Sequence, residues 1–133
     1  IVRSLVGSEM CIRDRFFDSI NNSLISVCLI CFVIGAILKT SQGSSTSAMI
    51  ITSSLIFPLI SKYNFTNLDI VMITLSIGAG SMMISHVNDS YFWIVSKKSE
   101  MNLQNSLKYF SIMTVFQSLS TILFISLIIL IST

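Results

Sequence analysis

Between Phe110 and Ile131 the chain runs for 22 residues without a charge. A helix needs about 20 apolar residues to cross the hydrocarbon core of a bilayer, so this stretch has the length and chemistry of a transmembrane segment. A second uncharged run, Ile20 to Leu38, is 19 residues long and meets the same measure. Composition agrees, since 53% of the 133 residues are hydrophobic and only 11% are charged. That is less than half the charge of an ordinary soluble domain, too little to cover a water-facing surface. A mean hydropathy of +0.84 points the same way. The expected fold is an all-α membrane protein, with polytopic transmembrane helices and discontinuous or re-entrant segments. A net charge of +2, carried by scattered basic residues, argues against a nucleic-acid partner.

Two shorter apolar segments lie between the long ones. Ala48 to Ile60 is too short to cross alone, and Pro58 is expected to kink or end it. Leu68 to Ile84 is marginal; it opens with Asp69 and contains Gly78 and Gly80, which allow close helix contact or local unwinding. Polar breaks punctuate these segments at Ser41-Gln42-Gly43-Ser44-Ser45-Thr46-Ser47 and at Ser85-His86-Val87-Asn88-Asp89-Ser90. Interrupted hydrophobic segments are the best sequence pointer to a transporter site, because a broken helix turns its backbone dipoles toward substrate. Irregular backbone at membrane depth persists only where protein or a water-filled cavity satisfies it. The plainer alternatives are an extramembrane turn for the first break and an interfacial helix end for the second. Lys97, Lys98 and Lys108 precede the last apolar run, which favours a cytoplasmic loop there.

Cys28 and Cys31 form a C-x-x-C inside an apolar run, with no second ligand pair nearby. Metal and redox motifs need a polar or loop context, so packing on one helix face is the expected role. Residues 1–15, including Ser4 to Arg15, read as a non-native, adapter-like segment and are set apart from the fold. The rest is nearly neutral, with five lysines against four acidic groups.

The breaks hold the candidate site. Gly43 permits a turn that other residues resist. Ser44, Ser45 and Thr46 offer hydroxyls where a helix N-terminus presents free N–H groups and a positive dipole end, suited to a carboxylate. Gln42 both donates and accepts, which suits a polyhydroxylated substrate; the alternative for this segment is a serine-rich helix cap. In the second break, His86 has an imidazole that ordinarily titrates near pH ~6.5. Asp89 is either held ionised by His86 or pushed toward protonation by burial. Asp89, His86 or both are expected to couple protons, while Asn88 and Ser90 bind substrate hydroxyls. Phe92 and Trp93 either line a cavity or anchor at an interface.

The stretch Ser85-His86-Val87-Asn88-Asp89-Ser90-Tyr91-Phe92-Trp93 closely resembles the Ser-His-Val-Asn-Asp-(Ser/Ala)-x-Phe-Trp motif of the gluconate permease (GntP) family. Gln42-Gly43-Ser44-Ser45-Thr46-Ser47-Ala48 resembles the family's Gln-Gly-Ser-Ala-Thr-Val-Ala. More weakly, Leu107 to Thr114 is similar to its Leu-Lys-x-Trp-x-x-Met-Glu, with Phe110 in place of the Trp and Thr114 in place of the Glu. Tyr91 replaces a small residue, which bears on substrate size. The resemblance covers Ile34 onward. It implies that residues 16–133 are the C-terminal part of a multi-pass transporter of the bacterial inner (plasma) membrane. The activity implied is proton-coupled uptake of gluconate or a related sugar acid. Its partners would be the sugar acid, protons and membrane lipid, with a homo-oligomer possible and no cofactor or metal. The rival transporter is a symporter for another organic anion, a hydroxy-acid or dicarboxylate, with sodium as one candidate coupling ion. A membrane enzyme using His86 and Asp89 with Ser85 or Ser90 is the weakest rival, because no nucleophile elbow or metal-ligand set accompanies them.

Overall fold

The structure is a computed structural model that describes residues 23–62 and 65–132. The adapter-like residues 1–15 and the start of the first apolar run, residues 20–22, lie outside the described residues. The described elements are all helical, as the sequence predicts: α1 (Leu24–Gln42), α2 (Ser45–Lys62), α3 (Asn67–Ser81), α4 (Ser90–Lys98) and α5 (Leu103–Ser132). By length and composition α1 and α5 can each cross a membrane. At 1.5 Å of rise per residue, α3 reaches only about 22 Å, short of the hydrocarbon thickness.

Many hydroxyl side chains sit in these apolar helices, and several find an acceptor within their own helix, although the buried Ser106 Oγ has no partner among the described residues. Those that do fold back on the preceding turn: Thr40 donates to Ala36 O at 2.8 Å, Thr52 to Ala48 O at 2.7 Å and Ser76 to Met72 O at 2.9 Å. This back-bonding removes free O–H donors from an apolar setting. Asp69, the charge that opens α3, is used locally. Its carboxylate accepts Thr66 N–H at 2.9 Å while Thr66 Oγ1 accepts Asp69 N–H at 3.4 Å, a reciprocal capping box.

Four helices share one core. Cys28 and Cys31 of α1 pack with Ile56 of α2, Ile73 and Ile77 of α3, and Ile125 and Ile129 of α5. The C-x-x-C pair is thus part of the core, on one face of α1. Helices α1 and α3 approach so closely that a Cβ on Gly80 would overlap the Phe32 carbonyl, and one on Gly35 would lie 3.2 Å from Ile77 O. Small residues are what permit such a crossing between helices in lipid. Gly78, by contrast, faces open space, and α3 continues through it without unwinding.

Several boundaries differ from the sequence expectation; α3 ends at Ser81 rather than Ile84, and α5 begins at Leu103 rather than Phe110. Helix α1 does not stop at Leu38 but runs through Lys39 to Gln42, so the first break shrinks to Gly43 and Ser44. Helix α2 starts at Ser45 and continues beyond Pro58 to Lys62. Its start is set by Ser44, whose carbonyl accepts Ala48 N–H at 3.1 Å and whose hydroxyl accepts Ser47 N–H at 3.4 Å. Proline removes one backbone donor, and here the helix carries that loss without ending. Phe57, Phe116, Leu130 and Ile131 remain exposed, an apolar outer surface suited to lipid or further helices.

Candidate functional site

Gly43 closes α1 in the left-handed conformation, at φ 71°, and its N–H bonds to Lys39 O at 2.8 Å. Glycine takes this cap without strain, and among the other residues asparagine tolerates it best. The position also has no room for a side chain, because a Cβ there would overlap the backbone carbonyl of Asn88. Gly43 and Asn88, 45 positions apart in the sequence, therefore bring the two polar breaks together backbone to backbone.

An ion pair fastens the junction. Lys39 Nζ lies 2.6 Å from Asp89 Oδ2 and donates a longer bond, 3.3 Å, to Gly43 O. The lysine is completely buried. Its place in the last turn of α1 sets its charge against the negative end of the helix dipole. Asp89 Oδ2 also accepts Ser85 Oγ–H at 2.9 Å, and Oδ1 accepts Tyr91 N–H at 3.0 Å, which makes Asp89 the N-cap of α4. Both carboxylate oxygens are thus occupied. Burying a charge pair is tolerable only when the remaining hydrogen-bonding capacity is satisfied in this way.

Helix α5 holds the second break from the other side. Ser111 Oγ donates to Ser85 O at 2.6 Å, and Thr114 Oγ1 accepts Ser85 N–H at 3.4 Å. Trp93 folds back to donate Nε1–H to Val87 O at 2.8 Å. Phe92 is buried against Phe110, with ring centroids 6.1 Å apart.

Beside the ion pair lies a cavity of about 710 Å³, within the roughly 300–1,000 Å³ range of small-molecule sites. One wall is the start of α2, with Gly43, Ser44, Ser45 and Thr46. The second break adds Ser85, Asp89 and Ser90, and α5 adds Phe110, Thr114 and Gln117. Tyr91, Ile94 and Met82 supply the less polar part. Of the residues singled out by sequence, Gly43, Ser44, Ser45, Thr46, Asp89 and Ser90 are brought together here. Gln42 and Asn88 are exposed and lie outside the lining, and half-buried His86 is also outside it. The charge facing Asp89 is the Lys39 ammonium, not the His86 imidazole, whose Nδ1 is buried with no partner among the described residues.

Lys39 is the residue that sequence reasoning passed over. It lies just past the uncharged run Ile20 to Leu38 and just before the first polar break. The available signal was its position one turn before Gly43, inside a helix otherwise free of charge.

The comparisons with known proteins converge. A family profile described as GntP family permease matches residues 5–131. The chain is 31% identical to the low-affinity gluconate transporter of Escherichia coli (strain K12) over 87 residues, 65% of this chain and 20% of that protein. It is 34% identical to the Gnt-II system L-idonate transporter of the same organism over 89 residues, 67% of this chain and 20% of the relative. With the gluconate permease of Bacillus subtilis (strain 168) it shares 28% identity over 117 residues, 88% of this chain and 25% of the relative. The matched region is about a fifth to a quarter of the length of these relatives. No solved structure matches. The relatives are named as transporters and permeases, which sets aside the enzyme built on His86 and Asp89. With its profile match spanning nearly all of the sequence, its helices apolar and its two motifs folded onto one cavity, this chain belongs to the GntP family of permeases, which are membrane proteins.

Proposed function

We propose that the chain forms one side of the substrate site of a proton-coupled secondary transporter for gluconate or a related sugar acid, in the bacterial inner membrane. The observation that carries this reading is the meeting of two helix breaks at a cavity that combines hydroxyls, a helix start and one buried acidic group. A sugar acid has a carboxylate at one end and a chain of hydroxyls behind it. The N-terminal turn of α2 matches the first with free N–H groups and a positive dipole end. Ser44, Ser45, Thr46 and Ser90 match the second, since each hydroxyl both donates and accepts. Gln42 and Asn88, exposed next to lining residues, meet the substrate from the side on which the rest of a full-length permease packs. Asp89 takes and returns the proton, with His86 relaying it from outside the lining. The exposed apolar faces lie against lipid, other helices of a multi-pass permease or a second copy of it.

Uptake of labelled gluconate by vesicles carrying the complete reading frame tests the proposal. Accumulation driven by an imposed proton gradient, and competed by idonate, is the expected result. Accumulation that follows a sodium gradient and ignores a collapsed proton gradient would replace it with the sodium-driven organic-anion symporter.

A further inference from the structure

Lys39 is a fully buried cation with two acceptors, and both belong to residues that line the cavity: Asp89 through Oδ2 at 2.6 Å and Gly43 through its carbonyl at 3.3 Å. The ammonium therefore stands one hydrogen bond behind the cavity wall, beside the turn that leads into α2. We propose that Lys39 is the anchor for the substrate carboxylate, masked by Asp89 in the empty site and released when Asp89 takes a proton.

The exchange follows from charge. With Asp89 ionised, the pair is neutral and the ammonium is already matched by a carboxylate at ion-pair distance. A sugar-acid anion arriving then would place two carboxylates on one ammonium, and like charges at close quarters exclude one another. When the Asp89 carboxylate gains one proton from cavity water, the ammonium loses its counter-charge in a buried position, a costly state. An incoming carboxylate restores neutrality. Release runs backward: the substrate anion leaves, the Asp89 proton returns to water, and the internal pair re-forms.

The surroundings leave this exchange to Lys39 and Asp89. Across the cavity stand Ser44, at the cap of α2, with Ser45 and Thr46 in its first turn, and α5 presents Thr114 and Gln117, none of which carries a charge. From α4 comes the Tyr91 phenol, more than half exposed. His86 lies three residues before Asp89 and outside the lining.

This assignment rests on the sugar-acid reading, and the test separates the two. The complete permease, purified in detergent and weakly buffered, is titrated with gluconate while heat and released or absorbed protons are recorded. Wild-type protein should absorb close to one proton per gluconate bound at alkaline pH, and its affinity should fall about tenfold per pH unit there. Asp89→Asn should bind gluconate with no proton uptake and with an affinity independent of pH. Lys39→Met on its own leaves a buried carboxylate unpaired, so the informative variant is Lys39→Met/Asp89→Asn, in which both charges are gone. That double variant should bind at least about tenfold more weakly than Asp89→Asn, the loss expected for one charge-assisted contact. Equal binding by the two variants would overturn Lys39 as the anchor. Proton uptake that persists in Asp89→Asn would overturn the exchange. Wild-type protein that binds neither gluconate nor idonate would overturn the transport reading and this assignment with it.

Discussion

Replacing Gly43 by alanine tests the junction on which the site depends. Two separable effects act at that position. The first is conformational: φ is 71°, and placing a side chain in the left-handed region costs roughly 1–2 kcal/mol. The second is steric, because the new Cβ would overlap Asn88 O and stand 2.7 Å from Asn88 C. These are backbone atoms, which move only by displacing the second break. Overpacking of this kind costs typically about 1–3 kcal/mol, so the sum is about 2–5 kcal/mol. Asp89 follows Asn88 directly, so the same displacement pulls its carboxylate away from Lys39 Nζ. Gly43→Ala should therefore lower both stability and gluconate binding. Gly78→Ala is the control, since nothing lies within 4 Å of its Cβ position and a helix interior gains about 0.5–1 kcal/mol from this change. Gly43→Asn divides the two effects, because asparagine tolerates the left-handed region but still carries a Cβ. Unfolding of the purified complete permease in mixed micelles, followed by Trp93 fluorescence, gives the stabilities. If Gly43→Ala proved as stable as wild type, the close approach of the two breaks would be wrong. If Gly43→Asn recovered wild-type stability, the steric half of the reasoning would fail.

Three further outcomes follow from the same geometry. Lys39→Met should destabilise by about 3–5 kcal/mol, because it strands the Asp89 carboxylate, whereas Lys39→Met/Asp89→Asn should fall close to wild type; equilibrium unfolding of both, compared with Asp89→Asn, provides the check. Ser111→Ala removes the 2.6 Å bond to Ser85 O and should cost about 1 kcal/mol, with weaker gluconate affinity because Ser85 also holds Asp89; unchanged affinity would separate the Ser111 contact from the site. One proton carried with each monovalent anion moves no net charge, so in sealed proteoliposomes uptake should follow the pH gradient and ignore a potassium-diffusion potential.

How much of this was legible in the sequence depended on the range of each interaction. α1 and α5 could be read directly, since uncharged runs near 20 residues leave few alternatives. Both breaks were also visible, because glycine, serine and asparagine cluster where helices end. The extent of α2 was not. Whether Ser45 and Thr46 belong to a break or a first helical turn depends on Ser44 acting as a cap, and an exposed proline either ends a helix or is carried inside it, as Pro58 is here. Spacing could not say which glycine of α3 meets α1. Gly78 and Gly80 are two residues apart, about 200° around a helix, so only one can face a given neighbour. The ion pair was the least accessible feature. A lone lysine one turn before Gly43 marks Lys39 as a residue of interest, but Asp89 is 50 residues away, and no local pattern names it as the partner. His86 offered itself as the partner because it was near in sequence, while the fold supplied a nearer one in space.

The position of that pair, at the junction of two helix breaks, bears on what the proposed exchange would need. A break in a helix exposes backbone groups which lipid cannot satisfy, so it has to be closed by other parts of the protein. Here Lys39 supplies a donor to the Gly43 carbonyl on one side of the junction and a counter-charge to Asp89 on the other. Well-packed apolar residues would hold the same junction at no greater cost, but they would offer a substrate nothing to replace. An ion pair can be taken apart by exchanging one carboxylate for another, at little net change in free energy if the proton goes with the displaced one. The empty and the fully loaded sites are then both neutral, whereas a site that has accepted only the proton or only the anion carries an uncompensated charge in a buried place. Under the exchange proposed above, the half-loaded states are the expensive ones, so movement of the site across the membrane would be confined to the two neutral states, and the coupling of proton to anion would follow from electrostatics at a single lysine.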